Sequence, residues 1–263
     1  MRPPIIRATA RRLLAHALVL LAACQPASTG TLAGGSTSAT NDKSSIINHA
    51  HLLMTANASS STIAFKTNGT QKGAGTTYLG RLTNDTARWA SASPLVSFEA
   101  NNGGSTRFLS EGRLIAEGLA YDALYHGVIG SVDPNTQPQL LLAPFDTNTP
   151  PATKAHVRFA HLMPGVGPVD VWSGAPGSET KVASALVYGA ITPYLDIQAA
   201  TATVPSINVT VTPAGIAPGG ANLMSVVAIT NVTNPGVYTI PLLYNNSNLS
   251  VATTKTLAIY VDR

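Results

Sequence analysis

Histidine and aspartate side chains are the residues of this sequence whose types and spacing suit metal binding. His49 and His51 are two residues apart, which places both rings on one face of a strand. His161 lies in a second Ala-His-Leu triplet, as the repeat equivalent of His51, and Asp170 follows it. Imidazole and carboxylate groups bind Zn²⁺, so a surface metal site built from these residues is one hypothesis. We favour packing roles, in which the strand histidines bond turn carbonyls, and we assign no metal and no cofactor.

The sequence after Cys24 lacks the hydrolase motifs Gly-x-Ser-x-Gly and His-Glu-x-x-His, and its 12 acidic residues are scattered. Trp89 and Trp172 could stack on a sugar ring, but both lie in strand patterns where packing is the commoner role. We therefore expect no catalytic residues, and a hydrolase with an unrecognised site is the least favoured alternative.

The first 24 residues carry the sharpest motif. A positively charged segment precedes an apolar run from Leu13 to Ala23, which is too short to span a membrane. The sequence Leu21-Ala22-Ala23-Cys24 resembles the bacterial lipobox, in which the cysteine thiol is acylated and the preceding peptide bond is cut. Cys24 is the only cysteine, so no internal disulfide accounts for it. We predict a lipoprotein signal peptide over 1–23; the alternative is a plain signal peptide with an incidental cysteine.

The basic character of the chain comes from the same segment. Of its 16 basic residues, Arg2, Arg7, Arg11 and Arg12 precede Cys24, which leaves 12 basic residues to balance the 12 acidic ones. A neutral mature chain without a basic cluster gives no basis for nucleic-acid binding.

A flexible, lipidated tether is predicted over 24–45, because this stretch is rich in Ser, Thr, Gly and Ala and has no apolar periodicity. These features predict a protein anchored to a membrane by lipid on Cys24 and exposed outside the cytoplasm. If the host is Gram-negative, Gln25 after the cysteine is typical of lipoproteins sent to the outer membrane.

Two divergent repeats follow the tether. Ala50-His51-Leu52 recurs as Ala160-His161-Leu162, and Tyr78-Leu79-Gly80 resembles Val187-Tyr188-Gly189. The proline-containing segment 149–154 separates them. We predict a first β-sandwich over 46–148, a linker over 149–154 and a second β-sandwich over 155–263.

Apolar residues recur with a period of two, which predicts strands. In Ile207–Thr212 the pattern points Ile207, Val209 and Val211 inward and Asn208, Thr210 and Thr212 toward water. Further strands are predicted over Leu95–Ala100, Val169–Trp172, Ser225–Thr230 and Leu257–Val261. The fold class is therefore all-β, as two tandem immunoglobulin-like sandwiches. Only Glu111–Leu124 is compatible with a helix, and its two glycines weaken that assignment.

The second repeat resembles a known bacterial family. Its segment from Ala155 to Trp172, with Met163-Pro-Gly and Val169-Asp-Val-Trp, is similar to the domain of unknown function 4397 family, as are Leu186-Val-Tyr-Gly189 and Val209–Gly215. The first repeat matches less, since Thr55 and Thr62-Ile-Ala-Phe replace the proline and the Val-Asp-Val-Trp segment. The resemblance implies a tandem exported β protein and brings no activity with it.

The sequence thus predicts a non-enzymatic, lipid-anchored envelope protein with a spacer or binding role. A glycan, a cell-wall polymer or another protein is the expected kind of partner, and the ligand-binding residues are unknown. The alternative is an accessory subunit of an envelope assembly.

Overall fold

The structure is a computed structural model that describes residues 42–56, 62–90, 95–102, 104, 106–199, 206–219, 224–230, 236–245, 248 and 254–262. The predicted signal peptide, Cys24 and most of the predicted tether lie outside the described residues. The first strand begins at Asp42, inside the predicted tether. The described residues form an all-β protein without a helix, which confirms the predicted class. Among them there is accordingly no apolar helix that could cross a membrane.

Eight strands of the described residues precede the predicted linker. They are β1 (Asp42–Ala56), β2 (Ile63–Thr67), β3 (Thr70–Thr76), β4 (Arg81–Ala90), β5 (Leu95–Asn101), β6 (Arg107–Leu114), β7 (Ala120–Ile129) and β8 (Gln139–Pro144). Sheet 1 has the order β4-β1-β7-β8, and sheet 2 has the order β3-β2-β5-β6. We call this pair of sheets the first sandwich.

Nine further strands, counted over the described residues, form the second sandwich. They are β9 (Lys154–His161), β10 (Val169–Ser173), β11 (Thr180–Leu186), β12 (Leu195–Gln198), β13 (Ser206–Pro213), β14 (Met224–Thr230), β15 (Val237–Tyr244), β16 (Lys255–Leu257) and β17 (Tyr260–Val261). Sheet 3 has the order β12-β9-β15-β16, with β17 also paired to β15, and sheet 4 has the order β11-β10-β13-β14.

Each sandwich encloses its own apolar core, because alternate side chains of facing strands point to one side. In sheet 2, Val96, Phe98 and Ala100 of β5 are buried against sheet 1. In sheet 4, Ile207, Val209 and Val211 of β13 are buried against sheet 3, as the alternation predicted.

Residues 40–263 form one compact unit, and the two sandwiches meet through sheets 1 and 3. A third apolar cluster lies between these sheets. It contains Leu53 and Leu124 from sheet 1 and Ala160, Leu162, Leu243 and Tyr260 from the second sandwich. The central strands of sheets 1 and 3 are therefore covered on both faces, as the burial of β7 and β15 along most of their length shows.

Three predictions about secondary structure and strand faces need correction. Glu111–Leu124 is not helical, because β6 runs to Leu114, Gly118 adopts a left-handed φ of 73° in the turn, and β7 begins at Ala120. The predicted strand Leu257–Val261 is divided between β16 and β17.

The third correction concerns the polar face of β13. Thr210 and Thr212 are buried although the alternation predicted that they face water. Thr212 Oγ1 accepts a hydrogen bond from Trp172 Nε1 at 3.0 Å and donates to the Ile216 carbonyl at 2.7 Å. The threonine is therefore satisfied within the protein and does not need solvent.

The two repeats correspond through their backbone hydrogen bonds. Leu52 N–H donates to the Gly80 carbonyl at 2.9 Å, and the Leu52 carbonyl accepts from Leu79 N–H at 2.9 Å. His161 makes the same two bonds. Its N–H donates to the Ala190 carbonyl at 2.9 Å, and its carbonyl accepts from Gly189 N–H at 2.8 Å. The structural equivalent of His161 is therefore Leu52.

The predicted equivalence of His51 and His161 is wrong by one residue, because the register of β1 against β7 shifts between Ile47 and His49. Asn48 is the additional residue of this bulge. Since a shift of one residue reverses the face that a side chain occupies, His51 points between the sandwiches whereas His161 lies on the core side of β9.

Candidate metal centre between the two sandwiches

Strands β1 and β7 bring two histidines and an aspartate together on the outer face of sheet 1. These strands run parallel, and their register places His49 beside Asp122. His49 Nδ1 lies 3.0 Å from Asp122 Oδ1, and the centroids of the His49 and His51 rings are 5.6 Å apart. All three side chains are buried.

The second sandwich covers this group with Arg158, Thr239 and Asp262. Arg158 of β9 donates from Nη2 to Asp122 Oδ2, from Nη1 to the Pro144 carbonyl at 2.7 Å and from Nε to Thr239 Oγ1 at 2.8 Å. Thr239 in turn donates to Asp262 Oδ2 at 2.6 Å. A continuous chain of polar contacts therefore crosses from one sandwich to the other.

Four potential metal ligands converge in this polar cluster. His49, His51, Asp122 and Asp262 each offer one ligand atom, and these atoms all lie within 4.8 Å of one another. Two imidazoles and two carboxylates form a donor set typical of divalent transition metals, Zn²⁺ in particular. The arrangement is buried, as in structural metal sites, and differs from the surface site that the sequence suggested.

Several polar atoms in the cluster have no hydrogen-bond partner. They are the two ring nitrogens of His51 and the Oδ1 atom of Asp262, all of which are buried. Burial, followed by the charges of His49, Arg81 and Arg158, lowers the pKa of His51 to about 3. Its ring is therefore neutral at pH 7, which is the form that binds metals.

Asp262 has the opposite perturbation. Burial and the nearby Asp122 carboxylate raise its pKa to about 6, and hydrogen bonds from Thr239 and Tyr194 together with the Arg158 charge oppose that rise. Close carboxylates in a buried site disfavour each other's ionisation. A bound cation would relieve this repulsion.

Aromatic rings enclose the cluster. The Tyr260 ring centroid lies 4.1 Å from that of His51, and the Arg158 guanidinium carbon lies 4.4 Å from the centroid of Tyr194. The Tyr194 hydroxyl donates to Asp262 Oδ2 at 3.0 Å. These contacts restrict the orientation of the potential ligands.

The other two predicted metal candidates lie elsewhere and have complete sets of partners. His161 Nε2 donates to the Gly167 carbonyl at 3.0 Å, and its Nδ1 accepts from Met163 N–H at 3.3 Å. The expectation of a histidine that bonds a turn carbonyl is confirmed here. The ring is fully buried and lies in the second sandwich.

Asp170 has a structural role in the second sandwich. It accepts hydrogen bonds from Lys181 Nζ at 2.6 Å, Ala185 N–H at 2.8 Å and Gly215 N–H at 3.0 Å. Burial alone would raise its pKa, but these bonds and the lysine charge lower it below the ordinary value. The carboxylate thus fixes strand β11 and the turn after β13.

Trp172 also packs within the protein, since its indole bonds Thr212 and lies under the Lys181 ammonium at 4.7 Å. Trp89 lies in β4, opposite Lys43 of β1.

Asp122, Arg158 and Asp262 were missed at the sequence level. Asp122 and Arg158 each stand within an apolar strand pattern, where a charged residue is rarely buried without a partner. That placement was the available signal for a buried ion pair. Asp262 had no such local signal, because it joins the cluster only through the packing of β17 on β15.

A surface hollow lies near the boundary between the sandwiches. Its volume is about 370 Å³, and its lining includes Arg113, Tyr121, His126 and Gln139 from the first sandwich and Gly189 from the second. This volume lies within the range of small-molecule sites.

Comparison with protein-family models finds no match for this chain, and comparison with curated proteins finds no matching relative. The resemblance to the domain of unknown function 4397 family therefore stays a prediction.

Proposed function

We propose that this chain is an exported, lipid-anchored envelope protein whose two sandwiches act as one stiff, non-enzymatic module. In this proposal Cys24 carries the lipid, the Ser/Thr-rich tether spans the distance to the first strand, and the module acts as a spacer or presents a binding surface. The immunoglobulin-like character of each sandwich and the kinship with the domain of unknown function 4397 family belong to the same proposal.

The main support for a rigid module is the series of polar contacts between the sandwiches. Arg158 belongs to the second sandwich, yet it bonds Asp122 and the Pro144 carbonyl of the first. Arg81 of the first donates to the Val261 carbonyl of the second at 2.9 Å. Domains move relative to one another unless their interface is large and apolar, and the apolar cluster between sheets 1 and 3 accompanies these polar contacts.

The hollow beside His126 supports a binding role for the module. Arg113, Tyr121 and Gln139 supply hydrogen-bond donors and an aromatic face at one site. Such groups suit the hydroxyls of a glycan or cell-wall polymer. Arg113 also donates to the Leu140 carbonyl at 2.8 Å, which holds the guanidinium at the rim.

A second candidate, an accessory subunit of an envelope assembly, is favoured by an exposed apolar pair on sheet 2. Leu95 and Leu114 are direct cross-strand partners, and 53% and 73% of their surfaces are exposed. Adjacent exposed leucines are a feature of surfaces that contact other proteins.

Two binding measurements distinguish these roles. For the glycan role, the purified protein should sediment with isolated cell walls or bind a glycan array, and Arg113→Ala should weaken that binding while Arg107→Ala leaves it unchanged. For the assembly role, a pull-down from detergent-solubilised membranes should return a stoichiometric protein partner that Leu114→Ser no longer retains. If neither wall, glycan nor partner binds, the spacer role remains and the binding role is wrong.

A further inference from the structure

We propose that His49, His51, Asp122 and Asp262 bind one divalent transition-metal ion, with Zn²⁺ the best fit, and that this ion cross-links the two sandwiches. The inference does not depend on the proposed envelope function, since it rests on side chains buried between the sandwiches. Three of the ligands come from β1 and β7 of the first sandwich and the fourth follows β17 of the second.

The first support is the convergence of unlike ligands from distant parts of the chain. His49 and His51 lie on adjacent outward positions of β1, and the parallel register brings Asp122 beside them. Asp262 is positioned by its N–H, which donates to the Val237 carbonyl at 2.8 Å. Each ligand is therefore held by sheet hydrogen bonding and not by a loop.

The second support is the unpartnered polar surface of His51. The ring is 0% exposed, and neither nitrogen has a hydrogen-bond partner. Burial of polar atoms without partners costs about 1–3 kcal/mol per group, so proteins rarely retain it. A metal ion bound to one ring nitrogen would provide the missing interaction, as it would for the unpartnered Asp262 Oδ1.

The distances fit a small adjustment to tetrahedral coordination. Zn–N and Zn–O bonds of about 2.0–2.2 Å place neighbouring ligand atoms roughly 3.3–3.6 Å apart. The observed upper limit is 4.8 Å. Side-chain rotations that shift the ligand atoms by about 1 Å would therefore bring all four within bonding distance of one ion. The strands need not move.

The Arg158 contact is compatible with a bound ion. Arg158 occupies Asp122 Oδ2, and Oδ1 faces His49. An ionised carboxylate offers about four lone-pair positions, so one Asp122 can bond the guanidinium and a metal together. The guanidinium then orients the Asp122 carboxylate through the oxygen that does not bind the metal, which is a common arrangement around protein metal sites.

The donor set decides the class of metal. Mg²⁺ and Ca²⁺ prefer sites built from oxygen ligands, whereas two imidazoles with two carboxylates suit Zn²⁺ and neighbouring transition metals. The site has no exposed ligand, since all four residues are buried. The ion would therefore be structural, and its binding would add to the stability of the folded chain.

Entry to the site requires only a local opening. Strand β17 is two residues long and pairs with Tyr238 and Thr239 of β15. Pairings of so few residues open at a small fraction of the global unfolding free energy. Release of β17 would expose Asp262 and His51 while both apolar cores remain closed.

The test uses the full chain, purified in detergent, stripped with a chelator and titrated with Zn²⁺ by calorimetry. We expect one ion per chain with a Kd of about 1 µM or tighter. We also expect a rise in Tm on Zn²⁺ addition and the visible absorption of four-coordinate Co²⁺ when Co²⁺ is used as the probe. Binding only at millimolar Zn²⁺, or a Co²⁺ spectrum of the hydrated ion, would overturn the proposal.

Variants locate the site. His51→Gln and Asp262→Asn should each weaken Zn²⁺ binding by at least about a hundredfold, the upper end of the losses seen for residues that only hydrogen-bond to a ligand. His156→Gln is the matched control, since His156 also lies between two carboxylates, with its ring nitrogens 2.9 Å from Asp146 and 2.8 Å from Asp196. Unchanged affinity in folded His51→Gln or Asp262→Asn overturns the proposed ligand set. If a variant does not fold, the Co²⁺ spectrum of the unmodified chain decides the outcome.

Discussion

The Arg158 guanidinium of the second sandwich donates a hydrogen bond to the buried Asp122 carboxylate of the first. Asp122 is 0% exposed and Arg158 is 2% exposed, so each charge depends on the other. The two sandwiches contain corresponding pairs of parallel strands. In the first, β1 and β7 place His49 beside Asp122; in the second, β9 and β15 place Arg158 beside Thr239. Arg158 therefore corresponds to His49 and Asp122 to Thr239, and the ion pair joins two non-equivalent positions of facing sheets.

Arg158→Met should destabilise the protein by about 3–5 kcal/mol, because it leaves the buried Asp122 carboxylate without its guanidinium partner. Urea unfolding measures this loss, and it should also divide one cooperative transition into two as the sandwiches separate. Arg107→Met is the control, since Arg107 pairs with Glu99 at 3.5 Å and is largely exposed. The control should change stability by less than about 1 kcal/mol. Equal effects of the two substitutions would contradict the role of the pair.

Asp170→Asn should destabilise the second sandwich by about 2–4 kcal/mol, because the amide cannot replace the charge-assisted bonds from Lys181, Ala185 and Gly215. Thermal unfolding provides the measurement. The control is Asp196→Asn, where 49% of the side chain is exposed and a change within about 1 kcal/mol is expected. A loss in Asp170→Asn no greater than in the control would show that Asp170 is not structural.

Acid should destabilise the protein through His126. Burial, with a smaller effect of the Arg113 charge, lowers the pKa of His126 from 6.5 to about 4. The unfolded chain therefore binds a proton that the folded chain refuses, so the stability present above pH 6.5 is lost as the pH falls toward 4. His126→Gln should reduce this loss by up to about 3 kcal/mol, measured by urea unfolding across that interval. Parallel pH profiles for the two proteins would refute the prediction.

Ala185→Gly should stabilise the protein by up to about 1 kcal/mol. Ala185 has a φ of 48°, a left-handed conformation that glycine adopts without strain. Ala183→Gly is the control in the same strand, where φ is negative and glycine should destabilise by about 1 kcal/mol or more. Chemical denaturation compares the free energies of unfolding of the two variants. If both substitutions destabilise the protein, the backbone at Ala185 is not strained and the prediction is wrong.

The sequence predicted those features of the fold that depend on local alternation. Ile207, Val209 and Val211 follow a period of two and lie in the core. The buried state of Thr212 was not predictable, because the residues that bond its hydroxyl belong to β10 and to the turn after β13. A strand pattern states which side chains share a face, but not what covers that face.

The candidate metal centre was only half predictable for a similar reason. The spacing of His49 and His51 places both on one face, and the structure brings their rings together. Asp122 is 73 residues from His49 in the chain and reaches it through parallel pairing. The bulge at Asn48 also changes which face of sheet 1 the alternate residues of β1 occupy from His49 onward. A comparison of the Ala-His-Leu triplets could not reveal this change.

The lipid anchor is the central claim of the proposed function, and one labelling experiment tests it most directly. The chain with residues 1–263 is expressed in a bacterial host with a palmitate analogue, next to Cys24→Ser and the control Ser28→Ala, and membranes are separated from soluble fractions. We predict that the unmodified chain and Ser28→Ala are labelled and sediment with membranes, whereas Cys24→Ser is unlabelled and soluble. Labelling and membrane association that persist in Cys24→Ser would contradict the account.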